Sequence, residues 1–234
     1  MGLTIHYTLS LKEEVSAAVV RELARRTADY ARKIGCAEVG GLLRAEKHED
    51  LATLFFKVGK LEDGFYSSAA PERGWLVQVF PGAGCEMVKL GLCQYPRRIL
   101  CRGGYAPTGF KGGWQLQSFC KTQYAGEHGL ENFLKCHLLA VSLLDFWRGL
   151  GVRVKVSDEG GYWKTRSVKK LEGEFQRYNG LVAAMSGMLK DSDGGLSVES
   201  PIFNYKNFER LEHEGWQEFG GRIEQLRKEL AGFK

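Results

Sequence analysis

The amino-acid sequence predicts an α/β or α+β fold in which a mixed β-sheet is flanked by helices. A pattern of strand, long helix, glycine and strand occurs twice, at residues 3–43 and 114–157, and several hairpin-like strands lie between the two occurrences. Segments in this order are typical of a sheet covered by helices. No Pro- or Ser-rich linker divides the chain, so we expect one compact domain over residues 1–234, with two similar halves at 1–110 and 111–234.

The first half begins with an alternating segment, and an amphipathic helix follows it. Residues 3–9 alternate between apolar and polar side chains, which predicts a strand. Ser10 is followed three residues later by Glu13, and this capping-box pattern predicts that a helix begins at Ser10. Gly35 is expected to end this helix as the glycine of its C-terminal cap. Further strands are predicted at 36–43, 51–58, 75–80 and 86–92.

The second half repeats this order of elements. Residues 114–124 are predicted to form a strand, 130–150 a helix and 152–157 a second strand, with Gly151 ending the helix. A further helix is predicted over 168–189, because its apolar residues recur with the cleanest helical period in the chain.

The tail is predicted to be helical after a short loop. Residues 191–195 consist of Asp, Ser and Gly, which is typical of a loop. From 208 to 234 the pattern of apolar residues indicates one or two helices. The residues expected to face inward there are Phe219, Ile223, Leu226 and Leu230.

Composition and charge are those of an ordinary globular protein. The chain has 234 residues, of which 44% are hydrophobic and 26% are charged. Its 33 basic and 28 acidic residues give a net charge of +5, without a concentrated basic run. That mild excess argues against a dedicated nucleic-acid binder and allows only a weak attraction to an anionic ligand.

The lack of a long apolar run and of a signal-peptide pattern indicates a cytoplasmic protein. No apolar run reaches the length of about 18 residues that a membrane span needs. The N-terminus lacks the basic start and apolar core of a signal peptide. The six cysteines are therefore expected to be reduced thiols. Because their spacing contains no C-x-x-C, the sequence predicts no structural zinc site.

The strongest functional signal lies in residues 114–163. If the long helix is a crossover between parallel strands, both strands point the same way and their carboxyl ends meet at one edge of the sheet. Ligands of open α/β sheets bind at that edge. The residues that it would gather are Lys121, Gln123, Tyr124, Asp158 and Glu159.

Alternation decides which side chains the predicted 114–124 strand offers to a ligand. One face includes the apolar residues Trp114 and Leu116. The other face carries Gln115, Gln117, Phe119, Lys121 and Gln123. Three amides and an ammonium group at this spacing could hydrogen-bond a polar ligand, and a solvated sheet face is the alternative.

The segment 158–163 (DEGGYW) places two carboxylates directly after a Val-containing strand and before two glycines. Asp158 or Glu159 could bind a divalent metal through oxygen, or act as a general acid or base. Alternation turns the two side chains to opposite sides, so we expect only one to face the site. The alternative is a turn with solvated acids, in which Tyr162 and Trp163 cover the core.

Residues 94–113 form a long, glycine-rich and basic segment. Loops of this length in compact domains are typically lids or binding loops. Arg97 and Arg102 could therefore close over an anionic ligand. Aromatic residues mixed with the basic ones would also suit a single strand of nucleic acid, although this number of basic residues is common in any surface loop.

Cys120 and His137 could form a nucleophile and its base, since such pairs are adjacent in space rather than in sequence. Both residues, however, belong to faces that are predicted to be apolar, so packing is the favoured interpretation. The chain contains no P-loop, nucleophile-elbow, zinc-protease, dinucleotide-binding or zinc-deaminase motif. The sequence thus predicts no cofactor apart from the divalent metal considered above.

The function that the sequence favours is a cytoplasmic ligand-binding protein, of the sensor or effector type, with a polar pocket at the carboxyl ends of strands 114–124 and 152–157. Cationic residues would meet a small anionic ligand, amides would hydrogen-bond it and aromatic rings would form apolar walls. The residues assigned to these roles are Lys121, Arg97, Arg102, Gln117, Gln123, Tyr124, Tyr162 and Trp163.

Two alternatives remain open. In the first, the protein is an enzyme, a hydrolase or transferase with or without a divalent metal. Asp158 or Glu159 would then be the general base or metal ligand, and Lys121 would stabilise developing negative charge. In the second, it is a structural or assembly protein without a catalytic site. The sequence predicts no membrane interaction and does not define an oligomeric state.

Overall fold

A seven-stranded antiparallel sheet is the framework of the fold. The structure is a computed structural model, and it describes residues 3–12, 14–58, 65–101, 104–190, 200–205 and 207–231. The strands are β1 (Thr4–Leu11), β2 (Glu38–Val39), β3 (Leu43–Arg44), β4 (Leu54–Val58), β5 (Phe65–Ala69), β6 (Arg73–Phe80), β7 (Val88–Gln94), β8 (Arg98–Cys101), β9 (Gly104–Pro107), β10 (Trp114–Lys121) and β11 (Arg153–Asp158). The sheet has the order β11-β1-β10-β7-β6-β2, with β3 also paired to β6.

Helices accompany this sheet, and β4–β5 and β8–β9 form two small separate sheets. The α-helices are α1 (Ala17–Lys33), α2 (Glu49–Ala52), α3 (Leu130–Gly149), α4 (Tyr162–Thr165), α5 (Val168–Lys190) and α6 (Phe208–Ala231). Short 3-10 helices occur at Ala45–Lys47, Gln123–His128 and Pro201–Asn204. The predicted class, a sheet flanked by helices in one compact domain, is confirmed.

The strand order explains how the two ends of α3 are connected. Strand β1 lies between β10 and β11 and is antiparallel to both, with Ile5 opposite Cys120 on one side and Asp158 on the other. Strands β10 and β11 therefore point the same way, and α3 joins them in a split β-α-β crossover. The carboxyl ends of β10 and β11 reach the same edge, as predicted, but β1 separates them.

Helices α1 and α3 pack against each other, α1 against β6 and β7 and α3 against β11, so they cover one face of the sheet. Buried on that side are Leu9 of β1, Leu116 of β10 and Trp147 of α3. Burial of each such apolar side chain contributes roughly 1.5–3 kcal/mol. The opposite face of β1, β10 and β11 carries exposed side chains.

The predicted start of the first helix was wrong. Ser10 belongs to β1, where it pairs with Gln115 on one side and Arg153 on the other, and α1 instead begins after its N-cap Ser16. Pairing with two neighbouring strands outweighs the local preference of Ser10 for a helix cap. The predicted partner Glu13 lies outside the described residues. Gly35 ends the helix as predicted, with a φ of +82°.

Other boundaries differ by a few residues. Strand β10 ends at Lys121 rather than at residue 124, because Thr122 already has a helical backbone. The predicted strand 51–58 is preceded by the short helix α2 and becomes β4, and the predicted strand 36–43 becomes β2 and β3. The tail forms the single helix α6, in which Leu226 is exposed rather than inward-facing. The loop at 191–195 and the side chain of Leu230 lie outside the described residues.

The division into two similar halves stays a prediction. Both halves begin with a central strand followed by a long helix, β1–α1 and β10–α3. The next strands differ in position, because β11 pairs with β1 while β2 pairs with β6. Across the described ranges, no helix combines the length and the apolar character that a membrane crossing requires.

Candidate functional site

The Asp158 carboxylate at the end of β11 is enclosed by protein. Its side chain is 1% exposed. The backbone N–H of Gly160 donates to Oδ1 at 2.8 Å, and the backbone N–H of Trp163 donates to Oδ2 at 2.7 Å. These bonds form the turn that leads into α4, so the carboxylate organises the segment that follows it.

A buried histidine is the second neighbour of this carboxylate. His137 Nε2 of α3 lies 3.3 Å from Asp158 Oδ1, without the alignment of a regular hydrogen bond. Its other ring nitrogen, Nδ1, is 2.9 Å from the hydroxyl of Thr122. His137 and Thr122 are both fully buried. The three side chains thus connect α3 to the ends of β10 and β11.

Gly160 closes the turn over the histidine. A Cβ at this position would lie 3.1 Å from His137 Cε1 and 2.5 Å from Leu171 Cδ1. Only a residue without a side chain allows the backbone to approach so closely. The backbone of this turn therefore covers the imidazole and excludes solvent from it.

Burial alone would raise the pKa of the Asp158 carboxyl, since it disfavours the charged form. The His137 imidazole and the N–H groups of Trp163 and Gly160 act in the opposite direction and outweigh burial, so the pKa lies below its usual value. The carboxylate is consequently ionised and bonded at neutral pH. A catalytic role for Asp158 stays a prediction, and its contacts favour a structural role.

Glu159 lies on the other side of the strand end, as the alternation predicted. The backbone N–H of Thr4 donates to its Oε2 at 2.8 Å, and its own N–H donates to Thr4 O at 3.2 Å. Glu159 is exposed, unlike the Asp158 side chain. Among the described residues, no three His, Cys, Asp or Glu side chains are arranged to hold a metal ion. The divalent metal at this pair stays a prediction.

Lys121 ends β10 on the outward face. Its Nζ is 3.9 Å from Glu86 Oε1, 6.0 Å from the ring centroid of Phe119 and 5.7 Å from that of Tyr124. The Lys121 side chain is 36% exposed. The ammonium group can therefore reach an anion in solution, but it also interacts with the Glu86 carboxylate and with two aromatic rings.

Gln123 is turned inward rather than toward solvent. Its Oε1 accepts from Leu3 N at 2.8 Å, and its Nε2 donates to Asn179 Oδ1 at 3.1 Å. Both functions of the amide are thus used to attach β1 and α5. Gln123 and Tyr124 line a cleft of about 240 Å³ beside α5, and neither Lys121 nor Asp158 lines it.

Tyr162 and Trp163 cover the core, as the alternative to a binding role predicted, but the Asp158 carboxylate is buried rather than solvated. Both are partly buried and pack against the main core. The Tyr162 ring meets the His137 ring edge-on at 6.2 Å. The Arg166 guanidinium lies over both aromatic rings, at 5.8 and 4.8 Å from their centroids.

The predicted binding loop contains two paired strands, β8 and β9. Residues 98–101 form β8 and residues 104–107 form β9, and Arg97 donates from Nη2 to Lys111 O at 3.4 Å. Gln115 pairs with Cys93, so the chain leaves β7 near the amino end of β10. Lys121 lies at the other end of β10, about 20 Å from Gln115. The fold thus separates Arg97 from Lys121 along the sheet, and Arg102 lies outside the described residues.

Cys120 and His137 do not form a pair with each other. Cys120 Sγ donates to Glu86 O at 3.2 Å and lies 3.8 Å from Cys85 Sγ. Cys120 is fully buried, like His137, so the interpretation as packing is confirmed. The neighbouring Cys120 thiol raises the pKa of Cys85 well above its usual value, which leaves Cys85 protonated.

A pocket that the sequence did not predict lies on the outward face of the sheet. Its volume is about 530 Å³, within the range of about 300–1,000 Å³ that ligand sites occupy. Residues of β1, β7, β10 and β11 line one side, and residues 50, 51 and 53–55, from α2 to β4, line the other. The side chains that the sheet turns outward into it are His6, Thr8, Lys89, Gln117, Phe119, Lys155 and Ser157.

Strand register arranges these outward residues in two rows. His6 lies opposite Phe119 on one side and Ser157 on the other, with the His6 and Phe119 rings 6.0 Å apart. In the next row, Thr8 lies between Gln117 and Lys155. The first row is therefore largely aromatic, and the second is polar and ends in a cation.

The charge of the pocket is positive on balance. Lys155 is exposed on β11, at one side of the sheet region that lines the pocket, and Lys89 is half-buried on β7 at the other side. Asp50 of α2 is the one carboxylate among the described lining residues. Among the described residues of the predicted site, Gln117 alone lines this pocket. The alternation of side chains along β1 and β11 would have identified the other outward-facing pocket residues if the strand order had been known.

Comparison of the chain with protein-family models, curated proteins and solved structures gave no match. The geometry described above therefore carries the functional interpretation.

Proposed function

We propose that the protein binds a small anionic ligand in the pocket on the outward face of its sheet, and that it acts as a ligand-binding protein of the sensor or effector type. The observation that carries the proposal is the position of Lys155, Gln117 and Lys89 around a single pocket of about 530 Å³. Cations at the margins and neutral hydrogen-bonding groups between them are what an anionic ligand of this size needs.

The proposal moves the predicted pocket from the strand ends to the sheet face. At the strand ends, Asp158 and Gln123 already have protein partners on their polar atoms. On the sheet face, Thr8, Gln117 and Lys155 are accessible to a ligand. A ligand gains more from groups that water solvates than from groups that the fold already uses.

We also propose that the protein is located in a reducing compartment, as a cytoplasmic protein would be. All six cysteines are free thiols. Cys85 and Cys120 are only 3.8 Å apart at sulfur and are not joined. Neighbouring thiols of this kind persist where glutathione and thioredoxin keep cysteines reduced.

Thermal shift measurements with pyrophosphate and citrate test the proposal. A ligand that binds the folded state raises the melting temperature in proportion to the logarithm of its concentration over Kd. We expect at least one of these anions to stabilise the wild type, and Lys155→Met to bind it roughly tenfold more weakly through loss of a charged hydrogen bond.

The matched control is Arg153→Met. Arg153 lies two residues from Lys155 on the same face of β11, but it does not line the pocket. We expect this variant to retain the wild-type affinity. Equal losses in both variants would indicate a general charge effect, and no stabilisation by either anion would overturn the proposal.

A further inference from the structure

We propose that the anionic ligand is a nucleotide unit, with its base against the aromatic side of the sheet-face pocket and its phosphate at Lys155. This inference rests on the proposed function and adds the chemical class of the ligand. It comes from the position of exposed aromatic rings relative to the cations, which a simple inorganic anion would not require.

Two exposed phenylalanines line the pocket from opposite sides. Phe119 of β10 is 47% exposed and Phe55 of β4 is 73% exposed. Large apolar side chains in this position gain from being covered by a flat ring. Stacking on such rings is the usual way in which proteins hold nucleic-acid bases without reading their sequence.

The His6 ring widens the aromatic surface. It lies next to Phe119 on the adjacent strand, with the ring centroids 6.0 Å apart and an angle of 44° between the planes. Lys121 adds a cation beside the same ring, 6.0 Å from its centroid. A base stacked on Phe119 would therefore have an aromatic neighbour on one side and a positive charge on another.

The separation between the ring and the cation suits a nucleotide. Phe119 on β10 and Lys155 on β11 are separated by β1 across the sheet and by two residues along the strands. Their Cα atoms are therefore about 12 Å apart. The flexible four-carbon stem of a lysine spans about half of that distance. The remaining half is left for a sugar that joins the base to the phosphate.

Polar groups occupy the space in between. Thr8 and Gln117 lie in the row of Lys155, and Ser157 lies in the row of Phe119. Hydroxyl and amide groups both donate and accept hydrogen bonds, as the hydroxyls of a sugar and the edge of a base do. The order of aromatic ring, polar groups and cation across the sheet therefore matches the order of base, sugar and phosphate.

The test compares each nucleoside 5′-monophosphate with ribose 5-phosphate by isothermal titration calorimetry. These ligands share the sugar and the phosphate and differ in the base. We expect at least one nucleotide to bind about tenfold or more tightly than ribose 5-phosphate, which is the size of effect that base stacking gives.

Two variants locate the base. Phe119→Leu keeps an apolar side chain and removes the ring, so we expect it to abolish the preference for nucleotide over ribose 5-phosphate. Tyr105→Leu removes a ring that is 67% exposed on β9 and does not line the pocket. We expect this control to bind like the wild type, and a preference that survives Phe119→Leu would overturn the inference.

The outcomes separate this inference from the proposed function. Ribose 5-phosphate or citrate binding as tightly as the best nucleotide, with a loss in Lys155→Met, would overturn the nucleotide inference and leave the proposed function standing. Absence of binding by every phosphate ester and by both test anions would overturn both.

A last comparison distinguishes the source of the nucleotide unit. Decauridylate that binds about 100-fold more tightly than UMP, with strong salt dependence, would assign the unit to a single strand of RNA. Equal affinities would assign it to a free nucleotide.

Discussion

The His137 imidazole lies 3.3 Å from the Asp158 carboxylate, and both side chains are closed to solvent. This pair joins the middle of α3 to the end of β11, while Gly160 covers it from outside. Asp158, the buried carboxylate at the end of β11, is therefore bound into the fold. The side chains of Gln117 and Lys155, which are open to a ligand, lie on the outward face of the sheet.

The Asp158 pair gives a first prediction about stability. Asp158→Asn replaces a buried charge that accepts two backbone hydrogen bonds and faces His137. We expect a loss of roughly 3 kcal/mol in the free energy of unfolding, where the ranges for a lost charged hydrogen bond and a broken buried pair meet. Urea denaturation at pH 7 measures it, and an increase in stability would instead indicate a functional site.

The stability difference between the wild type and Asp158→Asn is also expected to depend on pH. Because the pKa of Asp158 is lowered in the folded state, its ionised form stabilises the fold above the unfolded pKa of about 4. This stabilisation is lost as the pH falls through the lower folded value. The difference between wild type and Asp158→Asn should therefore narrow below about pH 4, and a constant difference would contradict the assignment.

Gly160 gives a second prediction. An added Cβ would meet Leu171, His137 and Asp158 at 2.5–3.2 Å, so we expect Gly160→Ala to destabilise the protein by roughly 1–3 kcal/mol through overpacking. Gly173→Ala is the control, because nothing lies within 4 Å of a Cβ there. Gly173 is inside α5, and alanine should stabilise the helix by up to about 1 kcal/mol. Equal thermal melting of the two variants would refute the enclosed turn.

Tyr7 gives a third prediction. Its hydroxyl donates to Lys89 O at 2.7 Å and accepts from Lys89 N at 3.1 Å. Tyr7→Phe leaves both backbone groups without this partner, so we expect a loss of about 1–3 kcal/mol. The Ser118 hydroxyl lies beside Tyr7 on the paired strand and is buried without a regular hydrogen bond of its own, so Ser118→Ala should cost less stability than Tyr7→Phe. Denaturant unfolding of both variants checks the contrast, and a larger loss for Ser118→Ala would contradict it.

Much of the local structure could be predicted from the sequence. The two-residue period of β10 correctly separated its buried side, with Trp114 and Leu116, from its outward side, with Gln117 and Phe119. That period fixes the direction of each side chain directly, without knowledge of the neighbouring strands. The helical period of α5 was equally informative, because an apolar stripe identifies the buried side of a helix.

The sites depended on information that local patterns do not contain. Asp158 meets His137 across 21 positions of sequence, and the enclosure of the pair also needs Leu171 of α5. The sheet-face pocket requires the order β11-β1-β10-β7, in which β1 lies between two strands that come much later in the sequence. Pairing with β10 and β11 also places Ser10 in β1, although the local sequence pattern of Ser10 indicated a helix cap.

The most direct test of the sheet-face pocket is the location of a bound anion by NMR. Pyrophosphate would be titrated into the ¹⁵N-labelled protein while the backbone amide shifts are followed. We expect the largest changes at Thr8, Gln117 and Lys155, whose side chains line the pocket in one row. Changes confined to Lys121, Glu159 and their neighbours would place the ligand at the strand ends and contradict the account.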